Sequence, residues 1–372
     1  MPRLPPPTAF RQLPSSRLPN RAAAPAGTLW LLLVADRHGH DVESLIERCR
    51  ARDLKICGGV FPGLIRGAER LDHGIIAFAL PPGSVAAVAR AEAAGPAWIV
   101  PPPECDRTAA PGGSYVLVDC LAPGISRLLD DLYDRYGTSL RHAGAGCGYH
   151  DLRNAPTVFW NGGWIPQGAL ITVFPGKSTV AVRHGWTRVG KPFIASRTRG
   201  NRIDELDWEP AGVQYLRAVT EQDPALAGRP VFPDINSSFP LALGKEGAED
   251  VIRDPIAVND DGSLTTLSEV PENCVLYLAH GDGDTLVAAA KEAVDACSSV
   301  TGIERCFVSD CFSRAIAHGE SFVRELAAVC DALARYTDVV PEGVLALGEV
   351  AASGRHSLEF YNKTFVVALA HR

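Results

Sequence analysis

Apolar and polar positions follow two periods along this chain. Residues 29–34 are an unbroken apolar run, the pattern of a strand buried on both faces, and a strand is predicted over 28–34. In 41–52, Val42, Leu45, Ile46 and Cys49 recur at helical spacing behind Asp41, a suitable N-cap. A short strand at 54–57 leads into Gly58-Gly59-Val60-Phe61-Pro62-Gly63, read as a turn whose glycines allow a backbone path that a side chain would block. Further strands are predicted at 73–80 and, after a connection rich in proline and alanine, at 115–119. Ile125, Leu128, Leu129, Leu132, Tyr133 and Tyr136 then trace the apolar stripe of a helix. Strands alternating with helices place the chain in the α/β or mixed α+β class.

From 142 the pattern changes. His142-Ala-Gly-Ala-Gly-Cys-Gly148 reads as a flexible turn, followed by an antiparallel meander at 157–160, 169–174 and 179–182, with Pro175-Gly-Lys-Ser178 as a hairpin turn and His184-Gly185-Trp186 at its end. A second unit is predicted from 189, with a partly helical stretch at 202–220, extended segments at 240–243, 257–259 and 274–278, helices at 285–297 and 320–336, and strands at 344–348 and 358–368. The expectation is two packed domains, 29–188 and 189–372, with mixed β-sheets flanked by helices. The proline-rich residues 1–28 are expected to be a disordered leader.

Composition agrees with a two-domain globular chain. The 372 residues exceed the roughly 150 of one domain, and 46% hydrophobic against 21% charged residues is enough for a large core. Lys and Arg total 36 against 43 Asp and Glu, a net charge of −7 without a long basic run, which argues against a nucleic-acid partner. The apolar run near the start falls far short of the ~20 residues of a membrane span, and Asp36-Arg37 directly after it spoil a secretory signal, so a cytoplasmic protein without a membrane partner is expected. The ten cysteines form no Cys-x-x-Cys and are expected to be reduced and mostly buried.

Several motifs reduce to local structure. Gly176-Lys-Ser-Thr lacks the earlier glycine and the following helix of a phosphate loop, because Ile171 stands in the glycine's place. Gly144-x-Gly-x-Gly148 follows a helix, not the strand that a dinucleotide loop requires. Asn259-Asp-Asp-Gly262 lacks the outer ligands of a calcium loop and reads as a turn, and the acidic residues of His280-Gly-Asp-Gly-Asp284 read as helix caps.

The informative cluster is C-terminal. Ser309-Asp310-Cys311-Phe312-Ser313-Arg314 ends a strand, Gly348-Glu349 ends another, and Phe360-Tyr361-Asn362-Lys363-Thr364 enters the last, which puts polar side chains at strand ends, where α/β proteins hold small ligands. The Arg314 guanidinium can grip an anion there.

With Gly-Gly-x-Phe-Pro-Gly at 58–63, His-Gly-Trp at 184–186, Glu205-Leu-Asp-Trp-Glu-Pro-Ala211 with Tyr215, and Leu347-Gly-Glu349, these residues resemble those of proteins with paired FIST (F-box and intracellular signal transduction) domains, over about residues 29–368. Asp207-Trp208 departs from the Asn-Gly common at that point. The resemblance implies a cytoplasmic sensor of small ligands without enzyme activity. More narrowly, Cys-x-Ser-Arg and the residues after it are similar to the haem-containing, nitric-oxide-sensing members that regulate a partner histidine kinase, with the signal leaving through a surface contact. That implies haem b, with His184 as the first candidate for axial ligand and His38, His142 and His318 open. Arg314 would then hold a ligand carboxylate or a haem propionate, with Ser313, Glu349 and Asn362 orienting it and Cys311 packed or redox-active. The alternatives are a haem-free sensor of amino-acid-like ligands, an enzyme with Cys311 as nucleophile, and a scaffold without a small ligand.

Overall fold

The computed structural model describes residues 25, 27–37, 42–104, 112–298, 301–352 and 357–371, Glu320 by its backbone alone. The Asp41 cap, His38 and residues 1–24 of the predicted leader lie outside them. The fold is mixed α+β. Three strand–helix–strand crossovers supply its parallel pairs, as the alternating pattern implies. Leu29–Ala35 pairs in parallel with Lys55–Phe61 across helix α1 (Val42–Arg50). Gly112–Asp119 pairs with Leu140–Cys147 across α2 (Ile125–Tyr136). Ile303–Cys311 pairs with Pro341–Ala346 across two later helices. The first of these pairs lies in a five-stranded sheet; the other two lie at the centres of a seven-stranded and a six-stranded sheet. A four-stranded sheet, a second five-stranded sheet, helix α3 (Ala211–Gln222) and two short helical turns, Pro224–Leu226 and Val231–Ile235, complete the described elements before α4 (Gly283–Cys297). Among the described residues no helix is long and apolar enough to cross a membrane.

The sheets mix the two halves of the chain. Glu349–Ala352 pairs with Leu140–Cys147 and so extends the seven-stranded sheet, while Ser178–Arg183 and Gly63–Arg66 flank C-terminal strands in the six-stranded one. The largest apolar core runs between these layers, from Leu31 and Phe61 through Tyr115 and Leu170 to Phe307 and Val366. Burying all these side chains at about 25 cal/mol per Å² makes this shared core a leading favourable contribution to folding.

Several sequence expectations are corrected. Gly58-Gly59 and residues 142–147 are strand, not turn: a Cβ on Gly58 would lie 2.0 Å from the Leu32 carbonyl oxygen, and one on Gly144 1.8 Å from that of Val116. Glycine therefore permits close approach of neighbouring strands here. The predicted meander is not one, since Val158–Trp160, Gly168–Phe174 and Ser178–Arg183 lie in three different sheets, and 175–177 joins two sheets instead of closing a hairpin. The connection after residue 80 contains a hairpin, Val85–Glu92 with Gly95–Val100, hidden by alanines of weak β-propensity. Asp282 caps α4 with a reciprocal Thr285 bond, as the acidic residues there imply.

Asp207 and Trp208 sit at φ 51° and 61°, the positive pair of a type I′ turn, between Arg202–Leu206 and Glu209–Pro210. Asp207 tolerates this, and its carboxylate accepts from the Ile194 amide at 2.8 Å. Trp208 does not: its indole is 71% exposed, so little burial offsets the left-handed strain. Trp208→Gly is expected to raise stability by about 1 kcal/mol, measured by urea unfolding. An unchanged or lower midpoint would mean that the indole makes a compensating contact.

Candidate functional site

The strand Ile303–Cys311 delivers Asp310 and Cys311 to the start of a short helix, α5 (Phe312–His318), and Arg314 projects from its first turn into the interior. All five N–H groups of the guanidinium find acceptors. Nε and Nη2 donate to the two oxygens of Glu325, on α6 (Phe322–Ala334), at 3.0 and 2.8 Å. Nη1 donates to the carbonyls of His184 and Lys363, at 2.5 and 3.4 Å, and Nη2 also to that of Leu286 in α4, at 2.6 Å. His318 Nε2 lies 3.0 Å from Glu325 Oε2. Burial alone would lift the Glu325 carboxyl, but Arg314 and His318 outweigh it and hold the pKa at about 2. Burial likewise works against the Arg314 charge, and Glu325 more than restores it. Asp310, 3.7 Å from Arg314 Nε, goes the other way: burial, then the Glu325 charge, push its carboxyl well above the usual range and keep it protonated.

On the opposite face of the same strand lies a second polar group. Glu349 Oε2 accepts from the amide and hydroxyl of Thr364, at 3.1 and 2.6 Å, while Oε1 has no N–H or O–H partner among the described residues. Burial raises the Glu349 pKa to about 8. Cys311 Sγ lies 3.3 Å from Ser313 Oγ, and burial together with the Glu349 charge pushes its thiol up to about 12. A neutral, buried thiol is a poor nucleophile. Asn362 is fully buried, with neither amide atom bonded. Lys363, held at φ 53°, places Nζ 3.4 Å from Asp254 Oδ2, and Asp254 also accepts from Asn236 Nδ2 at 3.1 Å. The Lys363 carbonyl accepts from the Trp186 indole at 3.1 Å.

The five ligand-binding candidates of the sequence analysis, Cys311, Ser313, Arg314, Glu349 and Asn362, thus lie together at one buried junction. The part assigned to Arg314 is corrected by its geometry: with every donor committed to a protein acceptor, no N–H is left for a ligand carboxylate or a haem propionate. Glu325, Asp254, Asn236 and Lys363 were missed. Glu325, in the Glu-x-Phe-x-x-Glu-Leu stretch at 320–326, and Lys363 both stand inside motifs that carry the family resemblance, yet no role follows for either from its spacing, and Asp254 and Asn236 lie in no motif.

His184 does not fit an axial haem ligand. The Trp186 amide donates to its Nδ1 at 2.8 Å, which assigns the ring proton to Nε2, and Nε2 points at Glu249 Oε1, 3.5 Å away. No lone pair is free for iron. Burial lowers the His184 pKa to about 4, so the ring is neutral. His318 is engaged by Glu325, and His142 is buried in the apolar layer with both ring nitrogens unbonded. Among the described residues no three His, Cys, Asp or Glu side chains are grouped to hold a metal ion.

Two outcomes are expected. Arg314→Met alone strands Glu325 as a buried charge and should cost about 3–5 kcal/mol, while the double change with Glu325→Leu recovers part of the loss in urea unfolding. A double variant no more stable than the single would place the cost elsewhere. Because the folded pKa of Glu349 is raised, its stabilising contribution is complete below the unfolded value near 4.5 and is lost as pH rises through about 8. Wild type should therefore lose stability relative to Glu349→Gln by up to about 1.4 kcal/mol per pH unit across that window. Parallel pH profiles for the two proteins would show Glu349 already ionised in the folded state.

Comparison with known proteins agrees with this architecture. No curated protein matches the chain. A family model described as the FIST N domain matches residues 28–209, and one described as the FIST C domain matches 213–352. His184, from the first match, and Arg314, Glu325 and Glu349, from the second, meet at the junction, and the chain belongs to the FIST family, with a FIST N domain followed by a FIST C domain.

Proposed function

We propose that this protein is a sensor that binds a small polar ligand without haem and reports it to a separate signalling protein. FIST domains are associated with sensing in signal transduction, which is the coarse part of the reading. The observation that carries the finer part is the incomplete hydrogen bonding at the junction. Each buried polar group left unpaired costs about 1–3 kcal/mol, and Asn362 with Glu349 Oε1 leaves several such atoms where segments of both domains meet. A second arrangement that pairs them would recover that free energy, so two packings can lie close enough for a ligand to choose between them. The engaged ring nitrogens of His184 favour the haem-free branch over nitric oxide sensing. The raised thiol pKa of Cys311 and its burial argue against the nucleophile reading. For the output, the resemblance points to a histidine kinase.

The test is a pair of measurements on the full chain. After purification with added haem, the spectrum is expected to lack a Soret band; a band that shifts with nitric oxide would overturn the haem-free reading. Thermal unfolding against a panel of amino acids and short carboxylic acids is expected to rise by several degrees with at least one compound, since a ligand at 100 times its Kd adds about 2.7 kcal/mol. No shift with any member of the panel would count against a ligand of this class.

A further inference from the structure

Arg253 ends the strand Val251–Arg253 and is 93% buried, being 7% exposed. Its Nε donates to the Glu269 carbonyl at 2.6 Å, and its Nη1 to the carbonyls of Ile252 and Phe360, at 3.2 and 3.1 Å. Nη2 has no partner among the described residues, and no carboxylate there lies within ion-pair distance of the guanidinium. The nearby Glu359 is taken by Lys245, 2.7 Å away, and the Glu269 carboxylate by Ser126, at 2.8 Å. Buried charges are ordinarily paired, because an unpaired one forfeits its hydration. Arg314 meets that rule in full; Arg253 does not.

The guanidinium lines a cavity of about 310 Å³ between the FIST N and FIST C domains, at the lower end of small-molecule sites. Two further features of its wall bear on an anion, and a third suits an apolar body. The N-terminus of α2 opens onto it through Ile125 and Ser126, with no capping side chain and no acidic residue of its own in the first turn, and the Glu269 carboxylate, which accepts from Ser126 Oγ at 2.8 Å, offsets part of its positive end. Ser268 Oγ is buried and unbonded. Leu267, Ile125 and Phe360 offer apolar surface beside these donors.

We propose that this cavity binds a small organic carboxylate, its oxygens on Arg253 Nη2 and Ser268 Oγ near the first turn of α2, and its apolar body against Phe360 and Leu267. Glu269, on the same wall, disfavours a second negative charge on the ligand. The site also has a route to the junction. Arg253 adjoins Asp254, the partner of Lys363, and Nη1 holds the Phe360 carbonyl two residues before Asn362, so a shift at either element moves the turn that carries Asn362 and Lys363. This route rests on the sensor reading; binding itself does not.

Titration calorimetry on the full chain would use acetate, butanoate, 4-methylpentanoate and inorganic phosphate. Affinity is expected to rise with the apolar body, with phosphate no tighter than acetate. Arg253→Met should weaken 4-methylpentanoate at least tenfold. Since Arg253 is buried, Ser126→Trp gives a second test from an exposed position at the cavity mouth and should also block binding. The proposal is overturned if no carboxylate binds wild type below 10 mM, a ceiling of about 3 kcal/mol of affinity, if both folded variants bind as wild type does, or if phosphate binds as tightly as 4-methylpentanoate. Hydrogen exchange at residues 361–364, followed in the same titration, separates the two readings: binding without a change there would sink the coupling to the junction and leave the carboxylate site standing.

Discussion

Arg314 stays charged in the protein interior only because four separate segments bring it acceptors. Removing a guanidinium from water costs several kcal/mol, and Glu325 repays this only with a bidentate geometry and carbonyls for the remaining N–H groups. The Leu286, His184 and Lys363 carbonyls are therefore not free to drift, and the start of α4, the His184-Gly185-Trp186 corner and the last turn of the chain are located relative to α5 and α6 by one side chain. Other features follow from this anchor. Asp310 must stay neutral, because a second carboxylate beside Glu325 would have only the same guanidinium to share.

The anchor also separates two tasks that the sequence combines in one motif. Arg314 braces the structure. Buried polar atoms without a partner lie around it, on Asp310 beside the guanidinium and on Glu349 and Asn362 across the strand, while Arg253, next to Asp254, turns Nη2 to its own cavity. A saturated network resists change, whereas an unsaturated one leaves a rearrangement something to gain. A sensor of this design would keep its brace fixed and move the turn Asn362-Lys363, which contacts both.

How much of this could be read from the residues depended on whether a feature was local. Helix α2 shows in the sequence by its apolar stripe and α4 by its Asp282 cap, both of them local features, and the short strands at 158–160 and 241–243 show as apolar runs. The alanine-rich strand Val85–Glu92 does not, since its burial comes from neighbours far away in the chain. The glycines at 58 and 144 looked like turns because their purpose, contact with the carbonyls of Leu32 and Val116, is a property of the neighbouring strand. At the site, the grouping of Cys311, Arg314, Glu349 and Asn362 was legible from strand ends. Which of them had spare hydrogen-bonding capacity was not, because that depends on carbonyls contributed by His184 and Leu286. Arg253 carried no motif at all.

The exchange of strands between the sequence halves bears on how the molecule is made. On a ribosome the FIST N segment emerges first, yet one neighbour of Leu140–Cys147 is Glu349–Ala352, and the edge strand Ser178–Arg183 pairs with Phe365–His371. Until those later segments are made, both strands present bare amides and carbonyls, an invitation to other nascent chains. Chaperone cover during synthesis, and poor recovery of either segment expressed alone, are what such a topology entails.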